Sequence, residues 1–269
     1  MGMQQEIIAE LGVKRSIDVD EEIAARVEFL KNHVKSSRAT GLLIAISGGL
    51  DSAVAAGLCK RATDELTQEM GMDYMTLGVF QPYGEQEDIE HSYETARTLG
   101  LTHTLETNIE DTADEIALEV EHGMRSIGQF RHLSIPGKGN VKARARMIMQ
   151  YALSNELNLL VVGTSHASEA VAGFYTKWGD GAADLMPLGS LNKRQIRQIA
   201  VALGIPDSII HKAPTAGLWA GQNDEQEMGV SYEDNCDYLE GRAIDPRAQK
   251  RLESYFLKTN HKRNPIPRI

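Results

Sequence analysis

The 269-residue chain reads as an α/β fold, an open, mostly parallel sheet with helices on both faces. Three observations predict it. Gly41–Ile46, Tyr74–Phe80 and Leu159–Val162 are short, continuous apolar runs, the pattern of strands covered on both sides. Helical patterns lie between them, so successive strands return by crossovers and run parallel. Each run ends in a polar or glycine-containing loop, and in a parallel sheet such loops share one edge, where open α/β proteins bind ligands.

In chain order, residues 18–35 form an amphipathic helix, with Ile23, Val27, Leu30 and Val34 at helical spacing and Asp18 or Asp20 as its cap. Asp51–Ala62 is the helix after the first strand and completes a βαβ unit with Tyr74–Phe80. Pro82 and Gly84 turn the chain at Gln81–Gln86. A helix over 87–99, a short strand at Thr102–Leu105 and a helix over Ile109–Glu121 follow. Residues 122–139 lack a period and read as a loop; Gly137–Ala143 is only a weak match to G-x-G-x-x-A, one residue too long, and no strand precedes it. Asn140–Glu156 is helical, with Val141, Ala145, Ile148 and Ala152 on one face. At about 100° per residue, Arg144 borders that face beside Tyr151 and Arg146 points nearly opposite, so Arg144 is the one expected to reach an internal site. Gly173–Leu188 is too irregular for a helix and reads as a binding loop carrying Lys177, Asp180 and Asp184. Asn192–Leu203 is a helix with Lys193 at its start. Ala213–Asp224 is a loop able to order over a ligand. Ser231–Asp234 has a capping-box outline, Asp245-Pro246 opens the last long helix, and the tail from His261, with its two prolines, is expected to fray.

Composition narrows the function classes. Hydrophobic residues at 42% and charged residues at 25% are those of a globular chain. The apolar runs are of strand length, and the first residues carry neither a secretory nor a myristoylation pattern, so a soluble cytoplasmic protein is the default expectation, with no membrane partner. A formal charge of −10 and a pI near 5.3 argue against nucleic acid or anionic membrane as partners. Two basic islands, Lys138–Arg146 and Lys258–Arg268, suit a compact phosphate-bearing ligand better than a polymer. Cys59 and Cys236 are far apart in sequence and give no zinc or disulfide pattern; Cys59 reads as core.

The motif that carries chemistry is Ala45-Ile46-Ser47-Gly48-Gly49-Leu50-Asp51-Ser52. Gly48 and Gly49 let backbone approach an anion, Ser47 and Ser52 supply hydroxyls, and the helix opening near Asp51 aims unpaired N–H groups and its positive dipole end at the same spot. The Asp51 carboxylate would repel phosphates unless a cation such as Mg²⁺ sits between them. Glu169, in the polar loop Gly163–Glu169 after the third apolar run, is placed to approach the same metal. No lysine follows the glycines, so this is not a Walker loop.

Ser47-Gly-Gly-Leu-Asp-Ser52 instead resembles the S-G-G-x-D-S loop of PP-loop ATP pyrophosphatases, of the N-type adenine nucleotide alpha hydrolase superfamily, whose sheet is Rossmann-like. Gln81–Gly84, Asn140/Arg144/Arg146, Gly163-Thr164, Phe174–Gly181, Asp184–Leu188, Pro214-Thr-Ala216, Asp237–Gly241 and His261–Arg263 follow in order, and with them nearly the whole chain resembles the ammonia-dependent NAD synthetases. The resemblance implies a ligase that adenylates the nicotinate carboxylate of deamido-NAD with ATP, releases pyrophosphate, and lets ammonia displace AMP to give NAD. It further implies ATP contacts from Ala45–Ser52, Thr164, Lys193 and Thr215, with Asp51, Lys193 and Thr215 catalytic, Mg²⁺ on Asp51 and Glu169, and the dinucleotide on Arg144, Lys177, Asp184, His261 and Lys262. It implies a homodimer, and one NAD synthetase domain over 1–269: a pyrophosphatase core over about 20–210, a mobile loop over about 213–228, and C-terminal helices and tail over 231–269. Gly217, where many members carry an acid, and Trp219 depart from the family pattern. The cradle alone also fits another PP-loop adenylating enzyme, or a module that senses ATP without turning it over.

Overall fold

In the computed structural model, which describes residues 2–215, 217–219 and 221–269, the chain opens with two helices, α1 (Met3–Leu11) and α2 (Val19–Ser37). Periodicity does not announce α1, of whose nine residues only Ile7 is buried. The α2 stripe is as expected: Ile23, Val27, Leu30 and Val34 are buried, and Asp18 is the cap, its carboxylate accepting the Glu21 N–H at 3.0 Å. Strand β1 (Gly41–Ala45) leads into α3 (Leu50–Met70), and β2 (Met75–Phe80) into α4 (Ile89–Thr98). The α3 helix runs two turns past the expected Ala62, because Thr63 and Leu66 continue its buried side. Lys31 of α2 is buried and bonds Glu65 and Glu69 of α3, so the helix pair is held by charge as well as apolar contact.

Strand β3 (His103–Glu106) is followed by α5 (Glu110–Ser126) and α6 (Ile135–Leu157). The expected loop over 122–139 shrinks to residues 127–134. The Glu121 carboxylate folds that turn by accepting the Leu133 N–H at 2.8 Å and pairing with His132, and Ser134 caps α6 with Pro136 in its first turn. Gly137–Ala143 is therefore helix. The buried face of α6 also differs from the expected one. Val141, Ala145 and Met149 pack on Ile109 and Ala113, and Leu153 packs under the sheet, while Ile148 is 52% exposed and Ala152 is exposed too. The stripe follows i, i+4 throughout, which turns its second half by one residue and lifts Ile148 and Ala152 out.

The last strand, β4 (Leu159–Val162), precedes α7 (Ala167–Ala172), α8 (Lys193–Ala202), α9 (Asp207–Ile210), α10 (Asp224–Met228), α11 (Tyr232–Leu239), α12 (Pro246–Lys258) and α13 (Asn260–Arg263). The sheet is all parallel in the order β3-β2-β1-β4. Leu42 and Ile44 face one core with α2, α3 and α8; Leu43, Leu77, Val79 and Leu159 face the other, with Leu153 of α6. A further cluster joins α1, α7, α11 and α12 through Ile7, Val171, Tyr238, Leu239, Leu252 and Phe256. The tail does not fray at His261. Arg263 lies 3.6 Å over the Phe256 ring and donates to the Phe256 and Ala170 carbonyls, which pins α13 on α12.

Gly173, at the C-cap of α7, has φ 62°, and a Cβ there would fall 2.3 Å from the Thr259 Cβ where α12 ends. Gly173→Ala should therefore cost about 2 kcal/mol or more, through both strain and clash. Urea unfolding monitored by circular dichroism checks this through a lowered midpoint.

Candidate functional site

The strand order reverses at β1: β2 and β3 extend on one side, and β4 is added on the other. The parallel pairs Ala45↔Val79 and Ile44↔Val162 bring the strand ends to one edge, so the Ser47–Ser52 loop and the Thr164–Glu169 loop open at the switch point, the usual ligand crevice of such sheets. The cradle is organised by its own serines. The Ser47 N–H donates to Ser52 Oγ at 3.2 Å, the two hydroxyls lie 3.1 Å apart, and Ser52 Oγ donates to the Gly49 carbonyl at 3.0 Å. Gly49 caps α3 without a side chain, which leaves the first-turn N–H groups of a long helix facing the loop. Gly48 adopts φ 75°, and a Cβ on it would lie 3.0 Å from Ser92 Oγ of α4.

Lys193 is the first residue of α8, fixed by a reciprocal cap between Asn192 and Gln195. Its ammonium is buried and bonds Asp51 Oδ2 at 2.6 Å and Oδ1 at 2.8 Å. Burial alone would push the Asp51 carboxyl up, but the Lys193 ammonium, with His166 adding to it, outweighs burial and holds Asp51 well below the carboxylate range. Glu169 behaves oppositely: burial, with the Asp51 charge adding to it against the pull of His166, pushes it up to about 7. Two carboxyls of one cluster are thus driven apart in acidity. Asp51, Glu169 and His166 each offer one ligand atom within 4.8 Å of the others. Two carboxylates facing a fully buried ring whose nitrogens have no hydrogen-bond partner are a donor set that fits a divalent cation. The expected pair Asp51 and Glu169 is therefore brought together. His166 was missed, its signal only a lone histidine three residues before Glu169.

Lys212 and Asp88 were missed as well. The Lys212 Nζ donates to the Gly48 carbonyl at 3.0 Å and pairs with Asp88, so it ties the cradle to the head of α4. Lys142 of α6 lies 3.4 Å over the Tyr83 ring and donates to the Leu218 carbonyl at 3.2 Å, joining the 81–88 and 213–224 loops. Trp219 rests on Gly139, where a Cβ would be 3.1 Å from its ring. Thr215 is exposed, and its hydroxyl accepts the Gly217 N–H at 3.1 Å; no described contact joins it to Asp51 or Lys193. Ala216 of the Pro214-Thr-Ala motif lies outside the described residues.

The residues expected around a second anionic ligand converge on the Gly173–Leu188 loop. Arg144 Nη2 donates to the Lys177 carbonyl at 3.1 Å, and Lys177 Nζ to the His261 carbonyl at 2.6 Å. Lys262 Nζ holds the Gly173 and Tyr175 carbonyls, each at 2.6 Å. The two basic islands thus meet through one loop. Asp184 ties that loop to the sheet, accepting the Val161 N–H at 2.8 Å and the Tyr151 hydroxyl at 3.3 Å. Arg144 does not border the buried face: it is exposed, and Arg146 is the inward one, its Nε on the Gln81 carbonyl at 3.0 Å, because the stripe of α6 is Val141/Ala145/Met149.

A model of the NAD synthase family matches residues 22–266. The chain is 42% identical over 274 residues to an NH₃-dependent NAD⁺ synthetase of Aliivibrio fischeri (strain MJ11), covering 99% of both chains. It is 43% identical over 263 residues to the one of Exiguobacterium sibiricum, covering 97% of this chain and 95% of that one. Among solved structures, the NAD⁺ synthetase of Burkholderia pseudomallei superposes with a TM-score of 0.82 at 32% identity, covering 97% of this chain and 95% of that one. The NMN synthetase of Francisella tularensis reaches the same TM-score at 31% identity, covering 94% and 99%. A glycine cradle at the switch point, an ion pair across its mouth and a full-length match at this identity lead to one conclusion: the chain belongs to the NAD synthase family.

Proposed function

We propose that the Ser47–Ser52 cradle, Asp51 and Lys193 are the adenylation centre of an ammonia-dependent NAD synthetase. The enzyme of this family is an AMP-forming ligase with ATP as co-substrate: the nicotinate carboxylate of deamido-NAD attacks the α-phosphorus, pyrophosphate leaves, and ammonia displaces AMP from the acyl adenylate to give NAD. The observation that carries the residue assignment is the buried Lys193 ammonium on Asp51 at the mouth of a glycine cradle that opens α3. This chemistry needs no covalent nucleophile from the enzyme. It needs two anions held together and charge stabilised on the leaving pyrophosphate. The α3 N–H groups with the Ser47 and Ser52 hydroxyls take the pyrophosphate, Lys193 offsets its charge, and Ala45, Ile46, Leu50, Thr164 and Thr215 complete the ATP contacts. Asp51 and Glu169 would hold Mg²⁺, which neutralises phosphate charge when bound. Arg144, Lys177, Asp184, His261 and Lys262 take the dinucleotide.

No described helix is long and apolar enough to cross a membrane, and the assignment is a cytoplasmic enzyme without nucleic acid as a partner. The exposed apolar residues Ile148 and Ile135 on α6 and Leu118 on α5, 52%, 65% and 58% exposed, support the homodimer reading, with a second copy covering this side.

Incubated with ATP, Mg²⁺, deamido-NAD and ammonium, the protein should release NAD, AMP and pyrophosphate in equal amounts. ADP release, or turnover of the nicotinate mononucleotide in preference to deamido-NAD, would refute the assignment. Asp51→Ala should lower AMP formation by about 10²-fold or more with an unchanged circular dichroism spectrum. Lys177→Met should raise the KM for deamido-NAD about tenfold and leave the KM for ATP within about twofold; equal effects on both would remove Lys177 from the dinucleotide side. Light scattering on a sizing column should give a dimer that Ile148→Asp converts to monomer, since a buried unpaired carboxylate is costly; a dimeric variant contradicts the placement of the interface.

A further inference from the structure

His166 is the one member of the Asp51 cluster that the reaction above leaves without a task. Its ring is fully buried, held at the start of α7 against Tyr232, with the ring centroids 6.3 Å apart. Nε2 lies 3.6 Å from Asp51 Oδ1 and 3.7 Å from Glu169 Oε1. Those distances are too long for hydrogen bonds. They approach the separation of two ligands on one small divalent ion, roughly 3.0–3.6 Å for metal–ligand bonds of about 2.1 Å. The Lys193 ammonium bonds both Asp51 oxygens, Oδ2 at 2.6 Å and Oδ1 at 2.8 Å, and Oδ1, the oxygen that faces His166, has a second lone pair to offer an ion.

We propose that His166 Nε2 is a third protein ligand of the cation held by Asp51 and Glu169, and that this nitrogen makes the site prefer first-row transition cations to Mg²⁺. The proposal rests on the reading of Asp51 and Glu169 as the metal site and extends it. Mg²⁺ takes oxygen ligands and keeps its waters, whereas an imidazole nitrogen adds affinity for Mn²⁺ and the ions after it in the first row. A buried imidazole with no hydrogen-bond partner loses its hydration on folding and regains a partner only when an ion arrives. The other ring nitrogen, Nδ1, also lacks a partner, so packing rather than a hydrogen bond fixes the ring.

The test is a titration of the chelator-treated full chain with Mn²⁺ alone, followed by electron paramagnetic resonance, with pulsed measurement of nitrogen coupling. One bound Mn²⁺ coupled to a single histidine nitrogen is expected, and the coupling should change to the ¹⁵N pattern in protein grown with ¹⁵N-histidine. Competition should show Mn²⁺ bound at least tenfold tighter than Mg²⁺. His166→Gln should lose about tenfold or more in Mn²⁺ affinity and less than threefold in Mg²⁺ affinity. Labelled wild-type protein decides the question even if that variant fails to fold. Mn²⁺ that binds, is lost in Asp51→Ala and shows no nitrogen coupling overturns the ligand role of His166 and leaves the carboxylate site standing. Mn²⁺ binding that survives Asp51→Ala overturns the site itself, and the proposal with it.

Discussion

The contact on which the rest of the arrangement depends is the ion pair between Lys193 and Asp51. It joins the first turn of α3, delivered by the central strand, to the first turn of α8, which reaches the same edge by a different route. A buried pair of this kind contributes little net stability, because desolvation of both charges offsets their attraction, but removal of either partner strands the other at a cost of several kcal/mol. Its effect is positional. The neighbouring Arg194 pairs with Glu233, Asp237 and Glu240, so the N-terminus of α8 is anchored to the sheet edge by one residue and to α11 by the next. The C-terminal helices are thereby registered to the nucleotide cradle through two consecutive side chains.

The same logic explains the distribution of charge. In a chain of net −10, several cations gather around the cradle and the Gly173–Leu188 loop, where the proposed reaction would hold two phosphate-bearing ligands against their mutual repulsion. Arg144, Lys177 and Lys262 are not left as free charges in the meantime. Each rests on a main-chain carbonyl, a partner that is polar without being anionic. Such a cation keeps its charge for an incoming ligand and loses only a neutral hydrogen bond when it turns toward one.

The strands were legible because β1, β2 and β4 are buried on both faces, which forces continuous apolar runs that no amphipathic helix imitates. The cradle was legible because glycines, serines and an aspartate at a strand-to-helix turn have few other uses. The register of α6 was not, because Val141/Ala145 can be continued by Ile148/Ala152 or by Met149/Leu153, and the choice is made by α5 and the sheet, which the local pattern does not contain. That turn of the helix also exchanged the parts of Arg144 and Arg146. His166 and Lys212 were illegible for a simpler reason. A single polar residue acquires meaning from what stands opposite it: Asp51, which completes the cluster around His166, and the Gly48 carbonyl and Asp88, which meet Lys212, all lie far away in sequence.

The seating of Lys142 between the Tyr83 ring and the Leu218 carbonyl makes one side chain common to two connectors. Both lean on a single ammonium, whose own charge burial disfavours. Removing that one group would deprive both connectors of a contact at once, so a substitution at Lys142 acts on two separate stretches of chain.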